Sequence, residues 1–498
     1  MQLSHSFSAL LAGVMVALST VNEVQAVPTG PRMVSLPIKR MEQPRNVHPQ
    51  ILLQQQMNSA HKRLAKMSGR QAPTTDALFA ALHKRVFEVE GDEGILMRRE
   101  AYNAWRGAKN AALAKTGNEK RYNAWRGAKN AALAKAKVNR AADDIGGEAS
   151  KVGVAVANPP TADNSLGLDI EVPDVGYLAT VQMGTPPKPF LILMDSGSAD
   201  LWVASEICQS VAGGDCGPHQ TLGSQSSSTF TPSNTPFQVT YGTGAVSGAI
   251  IQDDINVAGL DLKQHTFGVA IQETEDFADD NVPFDGLMGL AQSTLSQQQT
   301  LTPVEALAKQ GLISEAITSY KISRTADNKN DGEITFGGLD QTKFDPATLV
   351  TVDNVSQQGF WEADLDGASV NGQDAGLQGR TAILDTGTTL MLVPQDDAVA
   401  IHTLITGTQD AGNGQFVLPC DFTDKVALTF GGTAFEIDPR DIAVQEVSKD
   451  GDTAICLSGI TGSDSFGANQ WLVGDVFLKN AYFSTSVDKN TVSLATLV

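Results

Sequence analysis

At 498 residues the chain has room for two to four domains and for large cores. Its 41% hydrophobic and 18% charged content excludes wholesale disorder. The net charge of −20 is unevenly spread, with 23 Lys and Arg against 13 Asp and Glu in residues 1–165, and 13 against 43 in residues 166–498. A body that acidic makes nucleic acid the least expected partner.

In chain order, Ser6–Leu18 is an apolar stretch shorter than a membrane span, and Val24-Gln25-Ala26 follows it as a small-x-small site. That pattern predicts a secretory signal, residues 1–26, cut after Ala26. It departs from the usual pattern only in leading with His5 and no Lys or Arg. No later stretch approaches span length, and the closing "SLATLV" is neither a retention signal nor a lipid-anchor tail, so no stable membrane anchor is expected.

Residues 27–160 are basic, and the acidic remainder of the same chain is their most economical partner. Within them "YNAWRGAKNAALAK" occurs twice, at Tyr102–Lys115 and Tyr122–Lys135. Its Ala, Leu, Lys and Arg favour helix, with Tyr102, Trp105 and Leu113 able to share a face. Two copies are too few for a solenoid. The plainer reading is a duplication inside a tolerant spacer; a basic helix laid on the acidic body is the alternative, ahead of a membrane or nucleic-acid role.

From about Leu166 short β-branched and aromatic runs alternate with Gly, Asn, Asp and Ser turns, as in "FQVTYGTGAVSGAI" and "KVALTFGGTAFEI". This predicts an all-β body. Helical patterns are confined to Pro303–Gly311 and Gln395–Ile405. "DNKNDG", Asp327–Gly332, opens like a calcium loop but has Gly338 where the bidentate Glu belongs, so it is read as a hairpin turn. Cys208, Cys216, Cys420 and Cys456 allow three pairings; pairing by nearness is expected, free buried thiols being the alternative. Asn354-Val355-Ser356 is a glycosylation acceptor and, if used, belongs on the surface.

One pattern occurs twice: "ILMDSGSADLW" at Ile192–Trp202 and "AILDTGTTLML" at Ala382–Leu392. An apolar run ending in Asp and a Gly turn holds a carboxylate at the end of a rigid strand. Two such ends brought face to face place two carboxylates on one water, where like charges share a proton. One then acts as base toward the water and the other as acid toward a carbonyl oxygen. Neither a metal nor any other cofactor is required.

These motifs resemble the pepsin-like aspartic endopeptidases of the secreted fungal kind, over roughly Gly176 to Val498. The resemblance implies a bilobal double β-barrel with a few short helices, lobes at 166–340 and 341–498, preceded by a basic, partly helical prosegment. It makes Asp195 and Asp385 the catalytic dyad and Ser198 and Thr388 the hydroxyls that orient them. Ser196 and Thr386 brace the two loops, Ser196 standing where the family usually has Thr. "VTYGTGAVSG" resembles the hairpin that closes over substrate, with Tyr241 as its tip aromatic, Gly242 and Thr243 beside it, and Trp202 as the partner of Tyr241. "FDGLMGLA" and "WLVGDVFL" match the segments, with Gly289 and Gly474, packed beneath the loops.

The resemblance further implies a zymogen whose basic segment, opening at Ser35–Lys39, covers the cleft and sets a Lys on the dyad; Lys66, Lys39 and Lys120 are the candidates. Protein and peptide substrates, a monomer, and secretion or a vacuolar destination are expected. A cleft lined by Tyr241, Leu193, Leu287 and Phe277 favours bulky apolar side chains, and Thr243 stands where some relatives carry an Asp that accepts Lys. A peptide-binding pseudo-enzyme normally loses a dyad Asp or the tip Tyr, and neither is lost. A two-carboxylate glycosidase has no need of duplicated Asp-Gly turns, and the 6% aromatic content is low for sugar sites.

Overall fold

Apolar alternation broken by glycine turns makes strands the dominant element of the structure, a computed structural model. It describes residues 34–37, 39–40, 48–67, 73–74, 77–78, 80–91 and 176–498, save 212, 242–243, 279–281, 328, 330 and 464–468. The proposed signal and the repeated block lie outside the described residues.

The strands up to Phe336 are β1 (Val34–Pro37), β2 (Lys39–Arg40), β3 (Tyr177–Met183), β4 (Lys188–Asp195), β5 (Leu201–Ser210), β6 (Thr231–Thr240), β7 (Ala245–Val257), β8 (Leu260–Glu273), β9 (Gly286–Gly289), β10 (Ile317–Lys321) and β11 (Glu333–Phe336). An eight-stranded sheet of order β2-β3-β4-β9-β5-β8-β7-β6 forms the first lobe. Its inner strands β4 and β9 run parallel, with Asp195 in register with Gly289. All four residues of β9 are buried, as expected of a strand covered on both faces.

The second lobe repeats the arrangement. Arg380–Leu384 runs parallel to Gln470–Val473 inside a five-stranded sheet that also holds Glu362–Leu365, Met391–Pro394 and Ile460–Ser463. A six-stranded sheet ties the lobes: β1, β11 and β10 lead into Ala481–Ser486, then Thr491–Thr496 and Val350–Asp353. The mostly β, two-lobed architecture read from the sequence is thus present, with helices at Pro303–Lys309 and Gln395–Leu404. Disulfides join Cys208 to Cys216 and Cys420 to Cys456, the pairing by nearness.

Ahead of the body, α1 (Pro49–Met67) forms because Pro49 suits a first turn and neither Gly nor a second Pro interrupts the remaining turns. Leu53, Met57, Ala60 and Met67 fall on one face and are at most 5% exposed. They pack against Phe360, Ile383, Leu390, Leu392, Leu457 and Leu472 of the second lobe. Each large side chain buried there contributes about 1.5–3 kcal/mol to docking.

Candidate active site

β4 delivers Asp195 to the floor of the cleft, and Arg380–Leu384 delivers Asp385 opposite it; both are fully buried. Each loop treats its carboxylate the same way. Gly197 N and Gly387 N donate to Oδ1 of Asp195 and Asp385, each at 2.9 Å, while Ser198 Oγ and Thr388 Oγ1 donate to Oδ2, each at 2.6 Å. The loops also grip each other. Ser196 N donates to Thr386 Oγ1 and Thr386 N to Ser196 Oγ, both at 2.9 Å. The two hydroxyls then donate across to Leu384 O and Met194 O at 3.0 Å. The methyl absent from Ser196 removes none of these bonds.

The glycines are obligatory for space. A Cβ on Gly197 would lie 2.4 Å from Asp385 Oδ1, and one on Gly387 2.5 Å from Asp195 Oδ1. Gly289 and Gly474 pack as closely beneath, where a Cβ would meet Ala199 N at 2.5 Å and Thr388 O at 2.0 Å. Two carboxylates held within reach of one small molecule, with fixed donors behind each, have the geometry a general acid–base pair requires.

A guanidinium occupies that position here. Arg63, on α1, pairs through Nη2 with Asp195 Oδ1 and with Asp385 Oδ1 at 2.7 Å, and its Nε lies 2.5 Å from Asp385 Oδ2. Burial works against the Arg63 charge, but the two carboxylates outweigh it and raise its pKa. Burial, with the charge of Asp195, pushes Asp385 above its ordinary value against the pull of Arg63, Thr388 and Gly387.

Tyr241 follows β6 and is 9% exposed. Trp202 Nε1 donates to its hydroxyl at 2.8 Å, and Phe277 meets its ring edge-on at a centroid distance of 5.6 Å. Burial, then the nearby Asp200 and Asp195 charges, raises the Tyr241 pKa well above its ordinary value, so the phenol stays a donor.

A profile of the family described as "Eukaryotic aspartyl protease" matches residues 176–497.

The chain belongs to that family.

The probable aspartic-type endopeptidase CTSD of Arthroderma benhamiae is 37% identical over 341 residues, 68% of this chain and 64% of that relative. The aspartic-type endopeptidase ctsD of Aspergillus fumigatus is 35% identical over 347 residues, 70% of this chain and 71% of its own. Cathepsin D of Dictyostelium discoideum is 33% identical over 330 residues, 65% and 84%. The chain therefore spans 64% of the length of the Arthroderma relative it matches.

Several expectations need correcting. The cation on the dyad of this family member is Arg63, not a lysine: Lys66 stands three residues on along α1, Lys39 belongs to β2, and Lys120 is outside the described residues. Arg63 sits on the buried side of α1, and its fork reaches both carboxylates at once. Asn354 is not a surface acceptor. It is 5% exposed, donates from Nδ2 to Asn490 Oδ1 at 3.0 Å and accepts at Oδ1 from the amides of Ser356 and Glu362. Leu193 and Leu287 are cross-strand neighbours in the apolar cluster behind Tyr241, and Phe277 lies there too. The cavity beside the dyad is lined instead by Arg63, Met67, Thr240, Leu295, Gln297 and Phe360, with Ser198 and Tyr241. Gly242 and Thr243 lie outside the described residues.

Asp200 was not singled out by sequence reasoning. It is 1% exposed and accepts from Ser296 Oγ, Gln297 N and Gln298 N at 2.7, 3.2 and 2.9 Å, fixing the loop that carries Gln297 into the cleft. An Asp five residues after Asp195, at the start of a buried strand, was the available signal.

Proposed function

We propose that the chain is an aspartic-type endopeptidase made as an inactive precursor, hydrolysing peptide bonds at acid pH with Asp195 and Asp385. The observation that carries this reading is the pair of buried carboxylates in cross-braced loops, both engaged by one guanidinium from the basic segment. With Arg63 withdrawn, the carboxylates face a water and a scissile carbonyl. One accepts the proton of the water as its oxygen attacks the carbonyl carbon, and the other donates its proton to the carbonyl oxygen. Collapse of the tetrahedral adduct breaks the C–N bond, with a proton passed to the leaving amine. Ser198 and Thr388 orient the carboxylates, and Tyr241, held by Trp202, closes over the peptide. Leu295 and Phe360 in the cavity lining favour apolar side chains near the scissile bond.

The precursor reading rests on α1. Its apolar face covers the second lobe while Arg63 fills the dyad, so the cleft is blocked by a helix rather than by an extended, cleavable strand. A guanidinium stays charged at every accessible pH. Release therefore follows from protonation of carboxylates on the body, not from any change in Arg63. A monomer that travels the secretory route to the outside or to a vacuole fits the predicted signal, and one relative is named a probable vacuolar protease A, from Trichophyton verrucosum.

The test is a gel time course of the full-length protein, and of its Asp195→Asn form, across pH 3 to 7, with a peptide-hydrolysis assay alongside. The parent should stay long and silent at pH 7, shorten at about pH 3–4 to a chain starting near residues 150–170, and then cleave peptides. Shortening of the Asn form by itself, or full activity of the uncut parent at pH 7, would overturn the reading.

A further inference from the structure

We propose that Glu273 is a proton-dependent positioning residue for the hairpin that carries Tyr241: its neutral carboxyl belongs to the apolar cluster behind Tyr241, and its ionisation as pH rises loosens that cluster. The proposal concerns the folded first lobe and does not depend on the catalytic reading.

Glu273 ends β8, where it stands opposite Val246 of β7 and beside Ser210 of β5. The next residue closes the base of the hairpin: Thr274 N donates to Ala245 O, and Ala245 N donates to Thr274 Oγ1, both at 3.0 Å. Glu273 is 1% exposed, and a carboxyl oxygen lies within 4.8 Å of the sulfurs of Cys208 and Cys216. Those cysteines, Val246, Phe277, Trp202 and Tyr241 form one cluster. Oε1 has no hydrogen-bond partner among the described residues.

Among the described residues, no charge compensates the site. The ionisable ones among them on the surrounding elements are Glu206 on β5, Asp215 and His219 in and after the disulfide loop, and Glu275 and Asp276 just beyond β8. Asp253, Asp254, Asp261, Lys263 and His265 stand at the far end of β7 and β8, and β6 carries none. None of these is a hydrogen-bond or ion-pair partner of Glu273 among the described residues, and burial alone pushes its carboxyl up to about 8. The folded chain thus keeps a proton on Glu273 that the unfolded chain gives up near 4.5. The stabilisation is complete below about pH 4.5 and is lost as pH rises through about 8. The hairpin base is therefore tight in acid and loosens toward alkaline pH.

The experiment compares urea unfolding of the full-length parent with Glu273→Gln and Glu273→Met from pH 4.5 to 8.5, followed by tryptophan fluorescence. Gln keeps the shape of the neutral acid, and Met keeps length without a polar group. Relative to either variant, the parent's unfolding equilibrium constant should rise by about a thousand-fold between pH 4.5 and 8. Asp215→Asn, which removes an exposed charge from the neighbouring loop, should follow the parent. Parallel curves for the parent and both Glu273 variants would sink the proposal, as would an equal gain from Asp215→Asn. A second readout is activity recovered at acid pH after a hold at pH 8, which separates this effect from the reversible titration of the dyad. The Gln form should outlast the parent at least tenfold.

Discussion

Each carboxylate of the dyad is fixed by one amide and one hydroxyl of its own loop, and each loop by one hydroxyl of the other. Asp195→Asn or Asp385→Asn keeps that geometry but removes a base or an acid that its partner cannot supply. Peptide turnover should fall by several orders of magnitude in either variant, with a melting temperature near that of the parent; near-normal turnover would refute the dyad. Ser196→Ala is the contrasting case. It deletes the acceptor of Thr386 N and the donor to Leu384 O in a fully buried site. A buried group left unpaired costs about 1–3 kcal/mol, so chemical denaturation should show a loss of that size, and Ser196→Thr should restore it. Tyr241→Phe removes only the hydroxyl bonded to Trp202; it should lower kcat/KM and, by leaving the buried Trp202 Nε1 without its acceptor, cost about 1–3 kcal/mol, whereas Tyr241→Ala also empties a place in the cluster and should cost more.

At the scale of elements, α1 joins two unlike interactions: an apolar face on the second lobe and one guanidinium on the dyad. The first is insensitive to pH, and the second fades as the carboxylates are protonated. Arg63→Gln should leave the helix docked by Leu53, Met57 and Met67 but remove the ion pairs, so that the full-length chain shortens at a higher pH than the parent. Leu53→Asp with Met57→Asp should weaken docking at every pH by placing charges in the cluster of Leu390, Leu392 and Leu472. Gels run across pH distinguish a shifted midpoint from a uniform loss. A midpoint unchanged in Arg63→Gln would show that the guanidinium does not hold the precursor closed.

Across the whole molecule, buried ionisable groups pull stability in opposite directions. His265 and His402 are 4% and 3% exposed, and burial is the main cause that lowers each to about 4 from 6.5. The folded state therefore refuses protons that the unfolded state binds. Stability is intact above about pH 6.5 and falls as pH drops toward about 4, by roughly 3 kcal/mol per histidine. His265 stacks on Phe267, and its Nε2 has no partner among the described residues, so His265→Phe should flatten this fall. Urea melts between pH 4 and 7 measure it, and a slope equal to the parent's would count against His265. Glu273 acts at the alkaline side. Between pH 4.5 and 6.5 the two histidines gain stability faster than Glu273 loses it, so their sum peaks near pH 6.5, above the pH of about 3–4 at which maturation is proposed.

The amino-acid order alone determined the all-β body, the two Asp-Gly loops and the near-neighbour disulfides, while the pairing of Trp202 with Tyr241 was implied by the family resemblance. Each of the first three is written in the sequence pattern: alternating apolar residues, a repeated turn, or each cysteine paired with its nearest neighbour along the chain, 8 and 36 residues apart. Other features depended on packing between segments far apart in the chain. Arg63 and Asp385 are separated by 322 positions, and no local signal distinguishes Arg63 from Lys66 until α1 is laid on the second lobe. Asn354 carries an acceptor motif that reads as surface, yet its amide is spent on Asn490, 136 residues away. Glu273 sits at a strand end where a carboxylate would ordinarily reach water. Only the fold of the disulfide loop and the hairpin base over it removes that water. Whether a charge is solvated, paired or neutral depends on what surrounds it in space, and that was decided by the tertiary structure.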